Sequence, residues 1–116
     1  MKILTVMVWG IAIALLSATP AAAGGRQTQA DKGEAVYAAQ KCSICHSLDG
    51  KGQAKGPLDG IGTKLTAAEI REWIVNPAEM TKKHNATRKP AMRAYPKLTK
   101  DDLDALVAFL ASKKKK

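Results

Sequence analysis

Cysteine is all but missing from this chain: Cys42 and Cys45 are the two it has in 116 residues. They stand too close together for a cross-link between them to constrain much of the chain, so a disulfide framework is excluded. Aromatic residues are also scarce, at 4%. Past the N-terminal segment they are Tyr37, Trp73, Tyr95 and Phe109. A small domain buries a modest fraction of its surface, and one with so few large side chains needs a further staple. Acidic residues are outnumbered, 10 against 19 Lys and Arg, giving a net charge of +9. That excess suits an acidic protein, an anionic surface or nucleic acid as partner, or simple solubility. No internal repeat is present, and no segment alternates apolar and polar residues as a half-buried strand does. No Ser/His/Asp arrangement or other catalytic constellation stands out, so the expectation is a protein that is not itself an enzyme.

One long apolar run does exist. Lys2 precedes the almost wholly apolar residues 3–16, and Ala21-Ala22-Ala23 supplies small residues ahead of Gly24. This is the layout of an export signal with an A-x-A-like cleavage site. The run falls short of the roughly 20 residues that a bilayer crossing needs, which disfavours a retained anchor. We therefore expect residues 1–23 to be removed near Ala23, and residues 24–116 to form one periplasmic domain without stable membrane insertion. Export argues against nucleic acid and leaves an acidic protein or an anionic membrane surface as the better match for the basic surface, which ends in a run of lysines over residues 113–116.

Three segments carry helix starts, Asp31-x-x-Glu34, Thr66-x-x-Glu69 and Thr99-x-x-Asp102. In each, the leading side chain can accept from an orphan backbone N–H, and the acid suits the positive helix end. Leu65/Ile70 and Leu98/Leu103 occupy hydrophobic-staple positions in the second and third. Leu103, Leu106, Val107 and Leu110 form one apolar stripe on the third helix, whose lysine-rich end is expected to fray. Pro77 limits the second helix at Asn76. In the first, Gly33 shares a face with Tyr37, where close approach by another helix would explain a glycine. Between the first two helices lies a glycine-rich loop, and residues 81–96 show no periodicity. Loops this long in a small domain are expected to wrap something.

Cys42-Ser43-Ile44-Cys45-His46 is C-x-x-C-H, the attachment signal for c-type haem. Two thiols add to the two vinyl groups along one side of the porphyrin, and the adjacent His46 is held beneath the ring to donate a nitrogen to iron. A thioredoxin-like redox pair would expect a βαβ context. A structural zinc site needs four ligands, and distant His84 would have to complete the set. A plain disulfide would leave the histidine and the long loops unexplained.

Over residues 31–112 the sequence resembles a class I cytochrome c of the small bacterial exported kind. The resemblance implies an all-α cytochrome c fold, about three main helices with long loops wrapped around one covalently bound haem c. It implies an N-terminal helix crossing a C-terminal one, with Gly33 and Tyr37 against Leu106 and Phe109. Tyr37 stands five residues before Cys42, one more than the commonest family spacing, so a local adjustment is expected there. Gly56-Pro57-Leu58 resembles the family segment in which the proline carbonyl accepts from the haem histidine, a role carried to Pro57. Pro90-Ala91-Met92-Arg93-Ala94-Tyr95-Pro96 resembles the segment that supplies the second axial ligand, here Met92. Met80, His84 and an open iron remain alternatives. Trp73 and Tyr95 correspond to side chains that pack near the haem.

A thioether opposite an imidazole favours the reduced iron, and two filled axial positions suit electron carriage. The implied function is a monomeric periplasmic shuttle of single electrons, with Lys41, Lys55, Lys89 and Lys97 steering an acidic redox partner. Two alternatives stand beside it. One is the small cytochrome subunit of a periplasmic dehydrogenase, for example one oxidising sulfur compounds. The other is a ligand-binding haem protein with an open iron.

Overall fold

The computed structural model describes residues 21–116. In order come α1 (Ala21–Ala39), a 3-10 turn (Cys42–Ile44), β1 (Ser47–Leu48), β2 (Lys51–Gly52), α2 (Ile61–Lys64), α3 (Ala67–Val75), α4 (Pro77–Lys83) and α5 (Lys100–Ala111). The architecture is helical, as expected, with long connections around the 3-10 turn and between α4 and α5.

The starts of α3 and α5 follow from their first residues. At α3, the Thr66 N–H donates to the Glu69 carboxylate at 2.8 Å, and the Glu69 N–H donates back to the Thr66 hydroxyl at 3.2 Å. Each bond satisfies a backbone donor that the helix itself cannot use. At α5 the Thr99 hydroxyl accepts from the Asp102 N–H at 3.1 Å. The Asp102 carboxylate turns instead to Lys32 of α1, 3.3 Å away. Pro77 ends α3 and occupies the first turn of α4, where its missing N–H costs nothing. This α4 lies partly in a stretch read as aperiodic.

Two expectations about elements need correction. Asp31 does not open the first helix, because α1 already runs from Ala21. No proline interrupts residues 21–39, and the helix passes through Gly24 and Gly25 although glycine disfavours helix by about 1 kcal/mol relative to alanine. The expected processing point near Ala23 falls in its first turn, and residues 1–20 of the expected leader lie outside the described residues. A strand pair was also missed: β1 and β2 pair antiparallel around Asp49-Gly50, both at positive φ. That dipeptide is a hairpin signal, but two-residue strands are too short to show alternation.

The core joins α1 to α5, the most extensively packed helix pair among the described residues. Val36 and Tyr37 meet Leu106, Val107, Phe109 and Leu110, with Ile70 and Ile74 of α3 and Leu48 completing the cluster. The Tyr37 and Phe109 rings lie 5.7 Å apart at 59°. Each large apolar side chain so buried contributes about 1.5–3 kcal/mol. A Cβ at Gly33 would run into the Ala105 carbonyl and Phe109, so the glycine is what lets the helices meet. Ala105 and Phe109 widen the buried face of α5 beyond the expected stripe, whereas Leu103 is only half-buried.

The C-terminal lysines do not fray as expected. The Lys113 carbonyl accepts from Gly62 N–H at 2.9 Å, and Lys115 N–H donates to the Thr63 hydroxyl at 2.8 Å. Lys114 Nζ reaches the Gly62 carbonyl at 2.6 Å, and Lys113 Nζ stands 4.6 Å from the centre of the Phe109 ring. Polar backbone on α2 gives the tail partners that isolated α5 would lack.

Candidate functional site

The site grows out of the end of α1. Gln40 N–H still bonds the Val36 carbonyl at 2.9 Å, but Lys41 takes φ 56° and turns the chain left-handed. This reversal lies between Tyr37 and Cys42, where the local adjustment is expected. The 3-10 turn closes with Cys45 N–H and His46 N–H both donating to the Cys42 carbonyl, at 3.2 and 2.9 Å. The hairpin clasps it from outside: Gln53 N–H donates to the Ser43 and His46 carbonyls at 3.1 and 3.0 Å. Cys42 is thereby turned onto the apolar core while Cys45 is exposed.

Burial pushes the Cys42 thiol up to about 11, with the neighbouring Cys45 adding to the shift and its own backbone hydrogen bond opposing it. A reactive redox pair or thiolate metal ligand wants the opposite direction.

His46 is half-buried, with Nδ1 3.0 Å from the Gly56 carbonyl oxygen. With Nδ1–H donating there, Nε2 keeps the lone pair a metal would need. Burial lowers the His46 pKa; the bond to Gly56 opposes this, and the Arg88 charge adds to it. The accepting carbonyl belongs to Gly56 and not to Pro57, as the resemblance had implied. Ser47 N–H donates to the Gly56 carbonyl at 3.0 Å and Leu58 N–H to the Ser47 carbonyl at 2.8 Å, a parallel bridge across Ser47 and Pro57. Successive carbonyls of an extended strand point to opposite sides, so the carbonyl facing His46 is the one before Pro57.

Met92 and Tyr95 are half-buried and pack against the same apolar cluster as Cys42. Arg93 lies 5.8 Å from the centre of the Tyr95 ring. Met80 is buried more deeply, at 5% exposure. Trp73 is placed beside the exposed His84, ring centres 5.6 Å apart, rather than with Met92 and Tyr95. Sequence reasoning missed Arg88, whose guanidinium donates to the Cys45 carbonyl. It also missed the need for glycine at residue 56, where a Cβ would meet that same carbonyl and guanidinium.

The pattern of the cytochrome c family matches residues 30–114. The chain belongs to the cytochrome c family, whose members carry covalently bound haem c with iron and transfer electrons through it. A cytochrome c oxidase subunit 2 from Alkalihalophilus pseudofirmus is 31% identical over 97 residues, covering 76% of this chain and 27% of that protein. The chain thus spans about a quarter of the length of the curated relative it matches. No solved structure matches it significantly. Among the described residues, no helix is long and apolar enough to cross a membrane.

The side chains present fit such a group. Cys42 and Cys45 are free, His46 has its outer nitrogen tied, and a thioether stands at Met92 by the same cluster. The Tyr37 hydroxyl is buried without a hydrogen-bond partner, and burial followed by the nearby Cys42 and Asp59 raises its pKa. An unsatisfied buried hydroxyl costs about 1–3 kcal/mol, and the described residues supply this one with no partner.

Proposed function

We propose that this protein is an exported carrier of single electrons, with haem c joined through Cys42 and Cys45 and its iron held by His46 and Met92. The observation that carries this reading is the His46 Nδ1 bond to the Gly56 carbonyl, which fixes the tautomer and orients the imidazole as a ligand. When bound, haem supplies reversible one-electron chemistry between ferrous and ferric iron. The chain's own part is to hold its ligands still. Gln53 and Gly56 brace the attachment turn through hydrogen bonds, while Cys42, Met92 and Tyr95 lie on the apolar cluster that excludes water. A rigid site that changes little between oxidation states needs little reorganisation.

Lys41, Lys55, Lys89 and Lys97 are exposed and take part in none of the ion pairs found among the described residues. Unpaired surface cations are available to steer an acidic redox partner, and rates so steered fall as salt screens them. Electron exchange with acidic periplasmic proteins that ignored ionic strength would remove this part of the reading. The ligand pair is tested by the optical spectrum of the matured protein. A sulfur-to-iron charge-transfer band is expected that Met92→Ala abolishes and Met80→Ala retains; the reverse pattern would move the ligand to Met80.

A second reading draws on the relative being an oxidase subunit of greater length. The chain would then be the non-catalytic electron-transfer part of a larger oxidoreductase assembly. Stable copurification of a larger subunit at physiological salt favours this reading, and a monomer in solution favours the carrier.

A further inference from the structure

Arg88 joins three segments that are far apart in sequence. Its guanidinium donates to the carbonyl of Cys45, the peptide group that links Cys45 to His46. It also lies against Gly56, where a Cβ would strike it, and the Gly56 carbonyl is the acceptor for His46 Nδ1. Arg88 itself stands in the irregular stretch between α4 and α5, four residues ahead of Met92. No carboxylate is paired with it in any ion pair among the described residues, and the Cys45 carbonyl is the acceptor its guanidinium engages.

We propose that Arg88 is a positioning residue for the haem: it ties the Met92-bearing loop to the attachment turn and holds a fixed positive charge beside it. The inference rests on the haem reading above. A guanidinium remains charged at all relevant pH and offers a planar fork of donors, so it can engage neighbouring groups without titrating. A carbonyl facing a cation forms a charge-assisted bond, stronger than a neutral one. The loop on either side of Arg88 lacks helical hydrogen bonding between α4 and α5, so such a tie sets how far the loop can move from the turn. A cation held beside the attachment turn would also disfavour the added positive charge of a ferric iron bound there.

Arg88→Gln and Arg88→Lys in the matured protein separate the two contributions. Arg88→Gln is expected to lower the reduction potential. It is also expected to lose the sulfur-to-iron band at a lower denaturant concentration than the far-ultraviolet helix signal. Arg88→Lys should restore the potential, since it keeps the charge, but not the resistance of the band, since a single ammonium cannot both bond the Cys45 carbonyl and lie flat against Gly56. A merely structural residue would move band and helix signal together and leave the potential alone. A potential equal to the parent's in Arg88→Gln, or a band lost only with the helix signal at the parent midpoint, overturns the proposal. Should Arg88→Gln fail to mature, Arg88→Lys decides: early band loss at the parent potential supports the tie, and parent behaviour in both refutes it. A parent protein without covalent haem would instead sink the haem reading, so the two failures are distinguishable.

Discussion

The backbone carbonyl of Ala105 fills the space in which a side chain on Gly33 would begin. The obstacle is main chain, so neither a rotamer change nor a side-chain shift can relieve it, and α1 must move away from α5.

Gly33→Ala is therefore expected to destabilise the protein although alanine is the better helix former. Propensity alone would add about 1 kcal/mol of stability. Forced separation of a packed interface costs about 1–3 kcal/mol and also disturbs the Tyr37–Phe109 contact. Denaturant unfolding should show a lower midpoint with little change in slope. A variant as stable as the parent would mean that the helices do not meet as closely as described.

The start of α3 gives a prediction in acid. Bonds from the Thr66 backbone N–H and then the Thr66 hydroxyl hold the Glu69 carboxyl below its ordinary range. A depressed carboxylate contributes stability that is present above its unfolded pKa, roughly 4.3, and is lost as pH falls through the lower folded value. Glu69→Gln should remove that component of acid sensitivity, so its melting temperature falls less steeply than the parent's below about pH 4. Thr66→Ala should lower stability at neutral pH by about 1 kcal/mol, because the Glu69 N–H loses its acceptor.

Removing residues 113–116 should loosen α2 rather than merely shorten the chain. The tail supplies the acceptor for Gly62 N–H and a donor to Thr63. Two such hydrogen bonds together contribute about 1–3 kcal/mol. Faster amide exchange at Gly62 is the specific sign to measure. Asp49→Asn should matter less, since the exposed Lys113–Asp49 pair at 3.5 Å contributes at most about 1 kcal/mol.

Much of this arrangement is legible in the sequence because it depends on local chemistry. Thr66 and Thr99 cap their helices as their spacing implies, and Gly33 faces α5 for the reason its helix position suggests. What escapes the sequence depends on which way a group points or on contacts between distant segments. Whether Gly56 or Pro57 offers its carbonyl to His46 is set by the phase of an extended segment, and one residue reverses it. Arg88 reaches Cys45 across 43 positions, a distance over which no periodicity speaks. Asp31-x-x-Glu34 has the form of a helix start, yet α1 is already helical ahead of it and runs through Gly24 and Gly25, so a local motif does not by itself fix where a helix begins. The tail shows the same limit, since its anchors on α2 are invisible from its own lysines.

Met80 is expected to behave as a core residue and Met92 as a functional one. Met80 is 5% exposed, whereas Met92 is half-buried on a loop. Truncating a buried methionine to alanine costs about 2–5 kcal/mol through lost contacts and the cavity left behind. Leucine conserves most of that volume, so Met80→Leu should cost less than about 1.5 kcal/mol. The absorption spectrum of Met80→Leu should match the parent's, since leucine replaces the packing but has no sulfur to offer a metal. Met92→Leu reverses the pattern: the loop has less buried surface to lose, so stability is less affected, while the spectrum changes because the thioether is gone. Denaturant unfolding and an optical spectrum on the same two samples separate the roles. A parent-like spectrum in Met92→Leu together with an altered one in Met80→Leu would transfer the ligand to α4 and leave the loop as its cover.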